Sequence, residues 1–340
     1  MYDHTPDDGL QHLKLRHGCD LGLAHLVEAG LEVLPLPGSG QTLARWRALA
    51  EVAAHDLSLV KLFEGHTDAL AIQAELGAKP TPGAARWATW CAEPPDARVA
   101  MEEPGDAAPG ATVRLTGTKA WCSGAATVTH AIVSCWNADG EPCLAAVAMD
   151  QPGVQVTDQG WHAVGMADSA SVDVRFDGAS AVRVGGPGDY TRRPGFWQGG
   201  AGIAACWFGG ALGIARTVRA LMGNAPDAHR LAHLGAIDAA LTPAAALLRE
   251  AAQWIDRHPR DDARLVALRV RLAVEKAAGQ VMHHAGRALG AGPLCRNAAF
   301  ARAMADLPVF LRQSHAERDL AALGQIVAED KTREPSSWML

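Results

Sequence analysis

No CxxC pair occurs in this chain, although it holds seven cysteines, at 19, 91, 122, 135, 143, 206 and 295. An odd and scattered set argues against a zinc ribbon or a disulfide framework. It suits reduced thiols, so a cytoplasmic setting is expected and no metal site is. Excess positive charge is also missing: the formal net charge is −6. Binding phosphate needs a basic surface, which argues against nucleic acid or an anionic membrane as partner. The first 20 residues carry Asp3, Asp7, Asp8 and three histidines but no apolar core, which speaks against a signal peptide. The segment closest to a membrane span, GGAGIAACWFGGALGIA at 199–215, stops at 17 residues and runs into Arg216 and Arg219. A span needs about 20 residues. The segment reads instead as a buried helix whose small residues allow close packing.

What is present is an ordinary globular balance, 49% hydrophobic and 20% charged, over 340 residues, enough for two or three domains. Leu43, Trp46, Ala50 and Ala53 share one helical face. Asp56 is a candidate N-cap for a helix presenting Leu57, Val60 and Phe63, which Gly65 is expected to interrupt. Gly77 should end the next helical piece, and AKPTPGA at 78–84 marks a boundary. From about residue 85 the period becomes strand-like. Val113 and Leu115 alternate with Arg114 and Thr116. Two apolar runs, 129–136 and 143–149, flank a link with the hairpin signal Asp139-Gly140. After Pro194 four long helices are expected, at 198–222, 228–257, 261–289 and 298–329, with Pro243 capping or kinking the second and Pro308 kinking the fourth or marking its true start. The order is α+β with segregated elements: an N-terminal helical domain (1–84), a central antiparallel β-barrel (85–190), a C-terminal four-helix bundle (191–332) and a tail (333–340).

Several chemical motifs fail on context. Gly200-Ala201-Gly202-Ile203-Ala204-Ala205 fits G-x-G-x-x-A, but no strand precedes it and the next acid is Asp227, so packing explains it better than a dinucleotide. His283 and His284 have no carboxylate at i+4. Ser123 lacks the G-x-S-x-G frame of a hydrolase elbow. His315 and Asp319, on the last expected helix, are i,i+4 partners, so the carboxylate could orient or charge the imidazole.

Taken together these features resemble the acyl-CoA dehydrogenase family. Leu115–Ser123, with Gly117, Lys119, Trp121 and Ser123, resembles the β-domain signature G-x-K-x-W-[IC]-[TS]. Trp90-Cys91-Ala92-Glu93-Pro94 resembles the segment ending in Thr-Glu-Pro, and Gly160-Trp161, Gly165-Met166 and Val172–Asp177 the stretch that follows. Gly195-Phe196 opens what resembles the first bundle helix, and Leu289–Gly292, Arg302 and Asp306 match G-G-x-G…R-D. The resemblance implies FAD, with Trp121 and Ser123 against the isoalloxazine. The backbone near Thr89, Cys91 and Ala92 would meet its polar edge. Gly290, Ala291 and Gly292 would meet the adenine end in a neighbouring subunit. It therefore implies a homodimer or homotetramer, an acyl thioester as substrate, α,β-dehydrogenation, and an electron-transfer partner.

The departures concern the substrate side. Pro95-Asp96-Ala97-Arg98 stands where the family has a Gly-x-Gly-Ser-Asp turn, and the N-terminal helical domain is short. The family's catalytic glutamate follows the Arg-Asp position, yet residues 307–315 contain no carboxylate, nor do Ala204-Ala205-Cys206 at the alternative position. An α-proton of a thioester does not leave without a placed base, so either His315 or Glu317 substitutes or the reaction differs. Flavin monooxygenases of similar fold use a histidine and an H-x-x-x-D pattern, the spacing of His315 to Asp319. A catalytically degenerate paralogue that keeps flavin is a third reading.

Overall fold

The computed structural model describes residues 6–78, 84–103, 108–329 and 338. The expected tail therefore lies outside the described residues apart from Trp338, as does most of the 78–84 boundary. Four helices come first: α1 (Pro6–His17), α2 (Leu23–Glu28), α3 (Thr42–His55) and α4 (Leu57–Glu75). The strands are β1 (Trp87–Trp90), β2 (Val99–Glu102), β3 (Thr112–Cys122), β4 (His130–Trp136), β5 (Pro142–Ala148), β6 (Val154–Val156) and β7 (Val172–Val184). Then come α5 (Asp189–Arg192), α6 (Gly195–Ala220), α7 (Ala228–Arg257) and α8 (Arg264–Leu289). α9 (Ala291–Arg296), α10 (Ala298–Phe310) and α11 (Glu317–Glu329) follow. The chain divides into two compact units, one of residues 1–37 and 56–196, the other of 38–55 and 197–340.

In the first unit, Asp56 caps α4 as its residue type suggests, accepting from the Leu59 N–H at 2.7 Å. Gly65 does not interrupt the helix. It is buried inside an unbroken α4, and its carbonyl accepts the Thr89 hydroxyl at 2.8 Å. Ala69 and Ile72 of the same helix pack with Trp87, Ile132, Leu144 and Val184 into a buried apolar cluster. The strands run in the order β1-β4-β2-β3-β7-β5, and a β4–β5 pairing closes the path into a small barrel, with β6 on β7. Most pairings are antiparallel, but β1 and β2 each pair β4 in parallel. Val113 and Leu115 point inward and Arg114 and Thr116 outward, as the alternation predicts. The hairpin forms at Asn137–Glu141, where Asn137 Oδ1 accepts the Glu141 N–H at 2.8 Å.

In the second unit, the small-residue run is part of α6, and its glycines let α3 approach. A Cβ on Gly209 would lie 2.2 Å from the Ala50 carbonyl oxygen, and one on Gly213 2.6 Å from that of Ala54. α3 is also tied to α7, whose Asp256 carboxylate accepts the Thr42 hydroxyl at 2.6 Å. α7 continues through Pro243. By length and composition α6 and α7 could each cross a membrane, and 67% of the apolar window of α6 is buried within the protein. The expected single helix over 298–329 is not formed. α10 passes Pro308 and tightens into a 3₁₀ turn at Leu311–Gln313, and α11 starts only at Glu317. Ala316, at φ +47°, turns the chain between them.

Candidate functional site

β3 is bulged between Lys119 and Cys122 where it pairs β7. A bulge bends its strand and re-aims side chains. Here it puts Trp121 at φ +58°, left-handed backbone that a bulky residue rarely adopts. The result is a tryptophan 52% exposed in a strand whose next residue, Cys122, is fully buried. Gly117 lies between this bulge and an earlier register shift at Leu115/Thr116; its φ is +129°, and a Cβ there would lie 2.2 Å from the Arg98 carbonyl oxygen. Just past Trp121, the Ser123 hydroxyl bonds that of Ser171 at 2.7 Å, and Ser171 bonds the buried Ser169 at 2.9 Å. Ser169 donates to the Met166 carbonyl, so the chain of hydroxyls is anchored in backbone at its far end.

β1 brings Thr89 and Trp90 beside Ser123. The Trp90 indole N–H donates to the Ser123 carbonyl at 3.1 Å. Thr89, Trp90 and Ser123 share a narrow cleft of about 10 Å³, room for roughly one water. The Thr89 hydroxyl is committed to Gly65. β1 ends the path of the sheet and pairs on one side only. Cys91 and Ala92, just beyond it, are partly exposed. Burial pushes the Cys91 thiol up to about 12, so it is a protonated thiol and not a nucleophile.

Two residues before the tryptophan, Lys119 forms an ion pair with the partly exposed Glu93. Lys119 has no exposed surface. Its ammonium donates to Glu93 Oε1 at 2.6 Å, to Ser134 Oγ at 2.7 Å and to the Ser134 carbonyl at 3.1 Å. Glu93 also accepts from the Ser134 hydroxyl and from the Trp136 indole N–H at 2.9 Å. Burial alone would raise the Glu93 carboxyl, but the bonds from Lys119, Ser134 and Trp136 outweigh it and hold the group below its ordinary value. The two motifs of the resemblance, Trp90–Pro94 through Glu93 and Leu115–Ser123 through Lys119, are thus joined by one ion pair.

The remaining candidates lie in the second unit. His315 is not on a helix with Asp319. It precedes α11, and Asp319 in the first turn of that helix accepts the His315 backbone N–H at 3.1 Å, with its other oxygen 3.4 Å from Nδ1. The imidazole is 58% exposed. α8 holds the segment in place: Arg271 donates to the Gln313 carbonyl at 2.9 Å, and Glu275 accepts the buried Ser314 hydroxyl at 2.5 Å and the Arg312 guanidinium at 2.6 Å. Glu317, the first residue of α11, is exposed. Gly290, Ala291 and Gly292 are exposed at the α8–α9 junction. His284 faces His233 of α7, with 3.0 Å between the Nδ1 atoms.

Sequence reasoning missed Ser171, Ser169 and Ser134. Serines carry no pattern of their own, and Ser169 and Ser171 lie in the turn before β7, where no periodicity marks them. Glu93 and Lys119 were visible as motif residues, but nothing along the chain signalled that they pair.

No family model matches the chain, and no curated protein matches it in sequence. Solved structures do. TdsC from Paenibacillus sp. A11-2, in complex with FMN and indole, aligns with a TM-score of 0.81 over 98% of each chain at 20% identity. KijD3 in complex with FMN and dTDP-3-amino-2,3,6-trideoxy-4-keto-3-methyl-D-glucose aligns at 0.78 and 19% identity, over 98% of this chain and 95% of that one. Methanesulfinate monooxygenase MsuC from Pseudomonas fluorescens aligns at 0.74 and 19%, over 97% and 96%. The likeness spans the whole chain, and the architecture is the α+β arrangement of helices, small β-barrel and helical bundle known as the acyl-CoA dehydrogenase fold.

Proposed function

We propose that this protein is a flavin-dependent monooxygenase. The observation that carries the flavin is Trp121: an indole held out of its strand by a bulge, in costly backbone, beside a hydroxyl anchored through Ser171. Backbone strain of this kind persists only where the surroundings impose it, and it clusters at ligand clamps. A flat apolar wall with a few fixed donors is what a flavin ring requires of its protein. Trp121 and Ser123 would hold the ring, and backbone beyond β1 near Cys91 and Ala92 would meet its polar edge.

The oxygenase reading is preferred to acyl-thioester dehydrogenation because no carboxylate occupies 307–315, and Glu317 is an exposed helix-start residue. His315, held by Asp319 and by a loop fastened to α8, is the residue suited to move a proton. TdsC was crystallised with FMN and indole, KijD3 with FMN and an amino sugar nucleotide, and MsuC is a methanesulfinate monooxygenase; all three lend support. FMN is accordingly proposed ahead of FAD. Under that choice the exposed Gly290–Gly292 turn has no adenine to meet. The flavin supplies two electrons to O₂, so that one oxygen atom enters the substrate and the other leaves as water. The reduced flavin would come from a separate reductase. A homo-oligomer is also proposed, since only 17% of the apolar window of α7 is buried in the single chain.

The test is oxygen consumption with FMNH₂ and small heteroaromatic, amine or sulfinate substrates. Product carrying one ¹⁸O atom from ¹⁸O₂ supports the reading. Anaerobic bleaching of bound flavin by an acyl-CoA, with no oxygenated product, would return the protein to the dehydrogenase reading.

A further inference from the structure

The first unit contains a second cavity, of about 220 Å³, between α2, α4 and the start of β1. Its walls are apolar at Val27, Leu70 and Trp87, and polar at His66, Glu32 and Gln73. His66 is 1% exposed. Its Nδ1 accepts the Trp87 N–H at 2.9 Å, which assigns the proton to Nε2. Nε2 is buried and has no hydrogen-bond partner among the described residues, and neither has Glu32 Oε2. A buried donor or acceptor without a partner is costly, and native structures rarely carry one without a reason. Here a donor and an acceptor lacking partners line the same cavity, and Gln73, whose amide donates to the Ala69 carbonyl, lies beside them.

We propose that this cavity binds a small neutral molecule with a carbonyl acceptor next to an N–H donor, a carboxamide or lactam on an apolar body. The carbonyl accepts from His66 Nε2–H, the N–H donates to Glu32, and the body lies against Leu70, Val27 and Trp87. An amine cation would satisfy Glu32 and leave the His66 donor empty. A carboxylate would satisfy His66 and face Glu32. Burial pushes the His66 imidazole down to about 4, so it stays neutral and keeps its Nε2–H as a donor. None of the flavin residues lines this cavity, so the proposal does not depend on the monooxygenase reading.

The test titrates benzamide, benzylamine and benzoate against the full-length protein by ligand-observed NMR, with and without FMN. Benzamide, a nine-atom ligand, is expected to bind in the ~0.1–1 mM range usual for its size. Benzylamine and benzoate should each be at least five-fold weaker. Glu32→Ala should weaken benzamide at least five-fold, while Trp121→Ala and added FMN leave it unchanged. Circular dichroism melts show that each variant is folded. The proposal is overturned if benzamide shows no saturable binding, if benzylamine or benzoate equals it, or if FMN or Trp121→Ala abolishes it while Glu32→Ala does not.

Discussion

Lys119 contributes no surface and reaches no solvent, yet it joins the end of β1, through Glu93, to β3 and β4. Removing one partner of a buried pair leaves the other unpaired. Glu93→Gln should therefore cost about 3 kcal/mol, because it leaves the fully buried Lys119 ammonium without its carboxylate. Urea unfolding of the variant against wild type measures it. Trp121→Ala should act differently. It removes a half-exposed side chain and leaves the left-handed backbone as it was, so stability should hold within about 1 kcal/mol, while FMN affinity, read by flavin fluorescence quenching, falls at least ten-fold. Unchanged affinity would remove the indole from the flavin site. His66 should make stability depend on pH. Its pKa is about 4 when folded, against an ordinary 6.5, so the unfolded chain binds the extra proton between those values. Stability is then full above 6.5 and falls by about 1.4 kcal/mol per unit as pH drops toward 4. Glu32, pushed up by burial, works in the opposite sense near 4.5. The slope lost in His66→Asn isolates the histidine.

At the scale of elements, α6 gives a paired prediction. Gly209→Ala gains helix propensity of up to about 1 kcal/mol but drives a Cβ to 2.2 Å from the Ala50 carbonyl. Overpacking costs typically 1–3 kcal/mol or more, so net destabilisation is expected. Gly279→Ala on α8 meets nothing within 4 Å and should stabilise. Thermal melts of the two variants should move in opposite directions. The same helix shows what the chain made legible. Its small-residue run and the missing strand before it identified a packing helix and not a nucleotide loop. The α10–α11 break was hidden. Pro308 drew attention to the wrong turn, because the chain reverses at Ala316, and alanine gives no warning of φ +47°. Gly65 misled in the opposite way: a glycine inside a helix reads as a breaker, but here its carbonyl receives the Thr89 hydroxyl.

For the whole molecule, helices-barrel-bundle order could be read from periodicity because each segment keeps one period for tens of residues. The parallel pairing of β1 and β2 with β4 could not, since pairing partners leave no mark on either strand. The candidate site was legible only in part. Trp121 and Ser123 stand in a motif, whereas the Ser123–Ser171 bond joins residues 48 positions apart and the His66–Trp87 bond residues 21 apart. The unit holding α3 also has a temporal consequence. Residues 38–55 belong with 197–340, so this helix leaves the ribosome long before its partners exist. At synthesis rates of about 5–20 residues per second the gap is on the order of 10–30 s. During that interval Trp46, Leu49, Val52 and Ala53, each 3% exposed or less once folded, have no native unit to enter. Nascent chains stalled between residues 60 and 196 should therefore be held by chaperones, and release should follow completion of α6 and α7.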